Sequence, residues 1–168
     1  MSVPDANGAI TFRPIGWVHS PYARRFGTPQ QASAIDSDAE AVLRLDPQLI
    51  PELALRDLLG IERIWVLSLL DRSGTWGPLV RPPRGARAKR GLFATRSPDR
   101  PNPIGLSAVR LVRIENTDLH VRGVDLLDGT PILDIKPYVP YADAFPDSRA
   151  GWIDELTSDE LQVAKRPP

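Results

Sequence analysis

The sequence predicts a mostly β protein, a compact antiparallel β-barrel with one short helix and long functional loops. Three observations carry this expectation. Apolar residues recur with period two in several short runs, which is the spacing of a half-buried strand and not of a helix. The stretch from Gly105 to Asp128 holds two such alternations around a turn at Glu115–Asp118, the pattern of a hairpin. Prolines number 18 in 168 residues, about twice ordinary usage, which favours loops over long helices. The length suits one domain with a real core.

The elements follow in chain order. Residues 1–11 are expected as a flexible leader, 12–146 as the barrel domain and 147–168 as a polar tail. Phe12 to His19 alternates loosely and reads as a first strand. Ser20 to Ala34 is a Pro/Gly/Gln loop, and Ala41 to Leu45 a short strand. Pro51 to Leu59 is the principal helix expectation. Pro51 suits a first helical turn, Glu52 follows it, and Gly60 supplies a stop. Ile61 to Leu70 is apolar and rich in strand formers, and reads as a buried strand bounded by the turn Asp71–Gly74. Leu92-Phe93-Ala94 reads as a short strand. Val109, Leu111 and Ile114 lead into the hairpin turn, and Leu119, Val121, Val124 and Leu126 lead out. Ile132 to Tyr138 is the last strand, and a short helix is expected near Ser158–Val163.

Composition excludes several chemistries. With no cysteine there is no disulfide, thiolate metal site or Cys nucleophile. The two histidines, His19 and His120, make a zinc site improbable, so no metal is expected; His120 reads as a solvent-facing strand residue. No dinucleotide-binding, P-loop or nucleophile-elbow motif occurs. No apolar run reaches membrane-spanning length, and the first residues lack a signal-peptide pattern, so a cytoplasmic protein with no membrane partner is expected.

Charge is polarised. Arg81 to Gly105 carries seven Lys/Arg (Arg81, Arg84, Arg87, Lys89, Arg90, Arg96, Arg100) against Asp99 alone, with five prolines and three glycines. The chain has formal charge zero, so the remainder carries a net −6. A pre-ordered cationic loop suits a polyanion, and Arg84, Arg87, Lys89, Arg90 and Arg100 are candidate RNA contacts. A second constellation is Asp125 to Pro137. Asp128-Gly129 is a turn pair, and Asp125, Asp128 and Asp134 are candidates to converge, on ribose hydroxyls or on a cation. A third, Tyr22 to Gln31, interleaves Tyr22 and Phe26 with Arg24 and Arg25, as in a stacking-plus-phosphate surface.

The order and spacing of the first two motifs resemble the TsaA-like, or TrmO-like, family. The residues that carry the resemblance are Gly91 to Pro98, Arg100-Pro101-Asn102-Pro103-Ile104-Gly105, and Asp125 to Pro131 with Asp134 to Tyr138. Ile15-Gly16, Ser20-Pro21-Tyr22, Phe26, and Trp76 with Val80 to Arg84 also fit. The resemblance spans roughly Ile15 to Asp143. It implies a β-barrel that works as a homodimer, binds S-adenosylmethionine without a Rossmann domain, and methylates N6 of threonylcarbamoyladenosine at tRNA position 37. The tRNA anticodon stem-loop is then the macromolecular partner.

Site residues follow residue by residue from that resemblance. Pro29, Gln30, Gln31, Asp71, Arg72, Arg96, Leu106, Asp125, Leu127, Asp128, Gly129 and Thr130 stand at donor-binding positions. Pro29-Gln30-Gln31 replaces the family's usual Pro-Arg-Gln, and Asp71-Arg72 its usual His-Gln, so the rim of the donor pocket is retuned. The second domain of longer members is not expected in the residues after Asp143. Asp134 and Tyr138, with Asp125, are candidates for the base that takes the acceptor's proton. Arg96 suits a carboxylate, because its planar fork binds one bidentately. Rival readings are a methyltransferase of the same fold acting on a small molecule or another RNA, and a non-catalytic RNA-binding or adenosyl-ligand-sensing module.

Overall fold

A computed structural model describes residues 8–24, 39–83 and 88–157. Six strands close into a barrel in the order β1-β2-β7-β6-β3-β8, and every neighbouring pair is antiparallel. They are β1 (Gly16–His19), β2 (Glu40–Leu45), β3 (Arg63–Leu69), β6 (Ile104–Glu115), β7 (Asp118–Arg122) and β8 (Pro131–Pro137). A separate two-stranded ribbon pairs β4 (Leu79–Val80) with β5 (Arg90–Gly91). The single α-helix among the described residues, α1 (Pro140–Asp143), is one turn long.

Period-two burial explains the closure. On β3, Ile64, Val66 and Ser68 point inward; on β6, Gly105, Ser107, Val109 and Leu111 do so. Val18, Leu43, Leu45, Leu119, Val121 and Ile132 complete the interior, and Val124 and Leu126 plug it beyond β7. The lumen is filled by side chains, so a ligand has to bind at a rim or on the outer wall. Because six strands alternate in direction, the connections after β1, β3 and β7 all emerge at one end. The ribbon, the Arg96 segment and the Asp125–Thr130 turn therefore share that rim.

Two glycines are dictated by close approach. A Cβ on Gly16 would lie 2.3 Å from the Arg44 carbonyl oxygen, and one on Gly105 would lie 2.4 Å from Ser68 Oγ. Both glycines are buried at inward positions of their strands, so neither position has room for a side chain.

Several expectations are corrected. Pro51–Leu59 is not an α-helix. Only Glu52–Leu55 turns, in a 3-10 helix with no buried residue, and Asp57 breaks it at φ 65°. Leu55, Leu58 and Ile61 instead pack against the barrel end. Leu92-Phe93-Ala94 is a 3-10 turn and not a strand; Leu92 is buried while Phe93 is 79% exposed. The first strand starts at Gly16, and Phe12 is exposed outside it. His120 does lie on the outer face of β7, yet it is covered, 3.1 Å from Glu40 and 3.5 Å from Glu115. The helix expected at Ser158–Val163 lies outside the described residues. Within the expected tail, Gly151–Ile153 forms a 3-10 turn, and its Trp152 indole donates to the Ala94 carbonyl at 2.9 Å.

Candidate functional site

The Asp128-Gly129 turn is held from three directions. Its own backbone closes a β-turn, the Thr130 amide donating to the Leu127 carbonyl at 3.2 Å, with Gly129 at φ +77°. From β1, the Ser20 amide donates to Asp128 Oδ1 at 3.2 Å and the Ser20 hydroxyl to the Leu126 carbonyl at 2.8 Å. The Asp128 amide returns a bond to the Tyr22 carbonyl, and His19 Nδ1 stands 3.9 Å from Asp128 Oδ1. From the loop after β3, Arg72 Nη2 donates to the Asp128 carbonyl at 2.8 Å. Thus Arg72, Asp128 and Gly129 are brought together, with the Asp128 carboxylate exposed at the rim.

Asp125 is fixed from below. Ser107, buried on β6, donates to Asp125 Oδ1 at 2.5 Å. Beside it on β3, the fully buried Ser68 hydroxyl has no hydrogen-bond partner among the described residues. This polar end of an otherwise apolar lumen lies beneath the Asp125–Thr130 turn. Sequence reasoning missed Ser68 and Ser107. Their signal was a hydroxyl at an inward position of a period-two strand.

The Arg96 segment is stapled to the same loop as the turn. The Ser73 hydroxyl donates to the Pro98 carbonyl at 3.0 Å, the Gly74 amide to Asp99 Oδ1 at 2.7 Å, and the Leu70 amide to the Pro103 carbonyl at 2.7 Å. Loop 70–74 thus binds the Asp128 turn through Arg72 and the Arg96 segment through Leu70, Ser73 and Gly74. Arg96 itself is exposed and has neither ion-pair nor hydrogen-bond partner among the described residues.

The three aspartates do not converge. Ser68 on β3 opposes Ile132, but Leu67 opposes Asp134, so Leu133 is an extra residue in β8. That bulge turns Asp134 from the lumen to the outer wall. There it forms a 2.6 Å ion pair with Lys136 and accepts the Ile135 amide on its other oxygen. Leu67 also opposes Leu106, so Asp134, Leu67 and Leu106 form one row across the outer wall. No group of three His, Asp or Glu among the described residues is placed to hold a metal ion.

Tyr138 lies elsewhere. Its amide donates to the Arg63 carbonyl and its ring tilts against Trp65 at 5.4 Å between centroids. Arg63 is six residues back along β3 from Leu69, about 20 Å at 3.3 Å per residue. Tyr138 therefore belongs to the opposite end of the barrel. At that end Asp143 accepts the Val139 amide at 2.8 Å and the Trp65 indole at 3.0 Å, which hold its carboxyl below the usual aspartate range.

The ribbon strands bracket part of the basic segment in the sequence. Arg81 and Lys89 flank its tip and have no carboxylate partner among the described residues. Arg84 and Arg87, with Pro29, Gln30 and Gln31, lie outside the described residues. Two cations of the segment are engaged by the protein itself. Arg90 stacks over the Trp152 ring at 5.0 Å, and Arg100 over the Phe93 ring at 5.4 Å.

Residues 17–144 match the family described as tRNA-methyltransferase O N-terminal domain. The chain is 39% identical over 163 residues to the tRNA (adenine(37)-N6)-methyltransferase of Escherichia coli K12, covering 93% of this chain and 69% of that protein. It is 43% identical over 146 residues to a probable S-adenosyl-L-methionine-binding protein of Pyrococcus abyssi, covering 87% of this chain and 77% of that one. The crystal structure of TrmO from Pseudomonas aeruginosa superposes with a TM-score of 0.69 at 40% identity, over 85% of this chain and 62% of that chain.

Proposed function

The chain belongs to the tRNA-methyltransferase O N-terminal domain family, and on that premise we propose that it is an S-adenosylmethionine-dependent methyltransferase acting on N6 of threonylcarbamoyladenosine at tRNA position 37. The observation that carries this reading is loop 70–74, bonded at once to the Asp128 turn and to the segment presenting Arg96. One rim thereby offers an uncommitted guanidinium, an exposed carboxylate and an approachable glycine backbone.

These groups fit the donor. Arg96 suits the amino acid carboxylate, and the Asp128 carboxylate suits ribose hydroxyls or an ammonium. Gly129 lacks the Cβ that would stand over the turn, although Arg72 Nη2 already lies 3.3 Å from where it would be. Bound there, the donor would supply an electrophilic methyl group on a sulfonium, chemistry that needs no metal and no covalent enzyme intermediate. The protein's task is then alignment, which rigid stapling of the rim loops serves. Of the candidate bases, we assign Asp134, which the bulge holds on the outer wall below the rim. It can take the proton that the acceptor nitrogen gives up as its bond to carbon forms. Tyr138 is too remote within one chain.

Arg81 and Lys89, which flank the ribbon strands, and Arg84 and Arg87, which lie between them in the sequence, are the proposed phosphate contacts for the anticodon stem-loop. A homodimer also belongs to this reading. Leu106 and Ile104 expose 55% and 46% of their surface on the wall beside Leu67, an apolar patch suited to a second copy. Light scattering should give twice the chain mass, and a monomeric active enzyme would refute the dimer. Among the described residues no helix is long and apolar enough to cross a membrane. A cytoplasmic location fits a tRNA substrate, and recovery in a membrane fraction would contradict it.

Mass spectrometry of tRNA nucleosides from a strain lacking the gene tests the activity. Loss of the N6-methylated nucleoside, restored by the parent gene, is expected. An unchanged nucleoside profile would move the reading to a different acceptor.

A further inference from the structure

Composition groups Arg100 with the phosphate-binding cations, but its surroundings give it other work. Arg100 Nη1 donates to the Thr95 carbonyl at 3.1 Å and to the Ser97 carbonyl at 3.3 Å. One guanidinium nitrogen thus bridges the backbone on both sides of Arg96. The same guanidinium stacks on Phe93. The neighbouring backbone is fixed as well. The Thr95 hydroxyl donates to the Leu92 carbonyl at 2.8 Å and accepts the Ser97 amide at 3.4 Å, and Trp152 holds the Ala94 carbonyl.

We propose that Arg100 is a positioning residue for Arg96. It grips the carbonyls on either side of Arg96 and so sets the direction in which that side chain reaches for the donor's carboxylate; it does not contact RNA phosphate. The proposal rests on the reading of Arg96 as a donor ligand. The physical argument is preorganisation. A long arginine on a loose loop loses rotamer and backbone freedom when it binds, and a loop locked beforehand has already lost the backbone part. A guanidinium held by two carbonyls and an aromatic face would have to give up those contacts to reach a phosphate. Lysine does not reproduce the grip, because its stem is one atom shorter than arginine's and its ammonium has no planar face to lay on Phe93.

The test compares Arg100→Lys, Arg100→Ala, Arg96→Ala and the Arg96→Ala/Arg100→Lys pair. Donor affinity is read by calorimetry with S-adenosylmethionine, and tRNA affinity is read against salt. Arg100→Lys keeps the charge, so a phosphate contact would survive it while the grip would not. Expected is a loss of donor affinity of about tenfold in Arg100→Lys, the scale of one charged hydrogen bond. The double variant should be no weaker than Arg96→Ala alone, since one route is then already lost. In Arg100→Ala the log–log salt slope for tRNA should match the parent. Parent-like donor affinity in Arg100→Lys, additive losses in the pair, or a slope reduced by about 0.7–0.9 in Arg100→Ala would each overturn the proposal. If Arg96→Ala binds donor like the parent, the reading beneath fails and this proposal with it. If only Arg100→Lys is silent, the donor reading stands and the positioning role falls. Should Arg100→Lys not fold, Phe93→Leu removes the stacking face instead, with a severalfold donor loss expected and an unchanged affinity contradicting the role.

Discussion

Gly105 shows how a single position ties the motif to the barrel. It faces inward, and the nearest atom to its missing side chain is the hydroxyl of Ser68 at 2.4 Å. Gly105→Ala forces that hydroxyl or the β3–β6 pairing to shift. Denaturant unfolding should show a loss of about 1–3 kcal/mol, the usual cost of overpacking. Arg96 is the opposite kind of residue, exposed and uncommitted. Arg96→Lys keeps the charge and loses the fork, so donor binding should weaken by about 1–3 kcal/mol with thermal stability nearly unchanged. Titration with the donor decides; affinity equal to the parent's would remove Arg96 from the site. The turn residues Asp128 and Gly129 were legible in the sequence because a turn pair advertises its own geometry. Ser107 beneath Asp125 was not, since an isolated strand serine carries no sign of the partner 18 residues away. Arg90 and Arg100 read as surface cations because charge is visible in a sequence and an aromatic face beside it is not.

Among elements, the ribbon is the one whose role is most directly measurable. Arg81 directly follows its first strand and Lys89 directly precedes its second, and both are exposed. Replacing both by Ala should reduce the log–log salt slope for tRNA by about 0.7–0.9 per lost contact, and leave donor affinity near the parent's. Equal losses of both ligands would mean that the ribbon supports the rim and not the RNA. Strands β2, β3, β6, β7 and β8 were legible within two residues at most of their ends, because alternation is a local signal. The helix expected at Pro51–Leu59 failed for a tertiary reason. Its leucines serve the barrel end from a 3-10 turn and the loop after it, and a left-handed Asp57 ends the turn. The bulge at Leu133 was invisible for a related reason. It depends on pairing with β3, and it alone decides that Asp134 faces out.

For the whole molecule, closure is the feature least visible along the chain. It depends on short pairings between β1 and β8 that no local pattern encodes. On the exterior, ion pairs link β2, β6 and β7. Glu40 accepts Arg113 and His120, and Arg113 also binds Glu115 at 2.8 Å. The Arg113 bond is the largest influence on both carboxyls and holds each below the usual glutamate range. A depressed carboxyl pKa adds stability above its unfolded value and loses it as pH falls through the folded one. Melting temperature should therefore be flat from neutral pH down to about 5 and fall below the ordinary glutamate pKa of about 4.3. Glu40→Gln should melt lower at pH 7 and show a shallower acid decline. A parallel decline in both proteins would exclude Glu40 from the effect.

Methyl transfer by this barrel can be observed without a cell. The direct measurement is incubation of the purified chain with methyl-labelled S-adenosylmethionine and tRNA carrying threonylcarbamoyladenosine, followed by mass spectrometry of the digested nucleosides. Label is expected on N6 of that nucleoside with the parent, and little with Arg96→Ala. A parent that binds the donor and leaves the nucleoside unlabelled would contradict it.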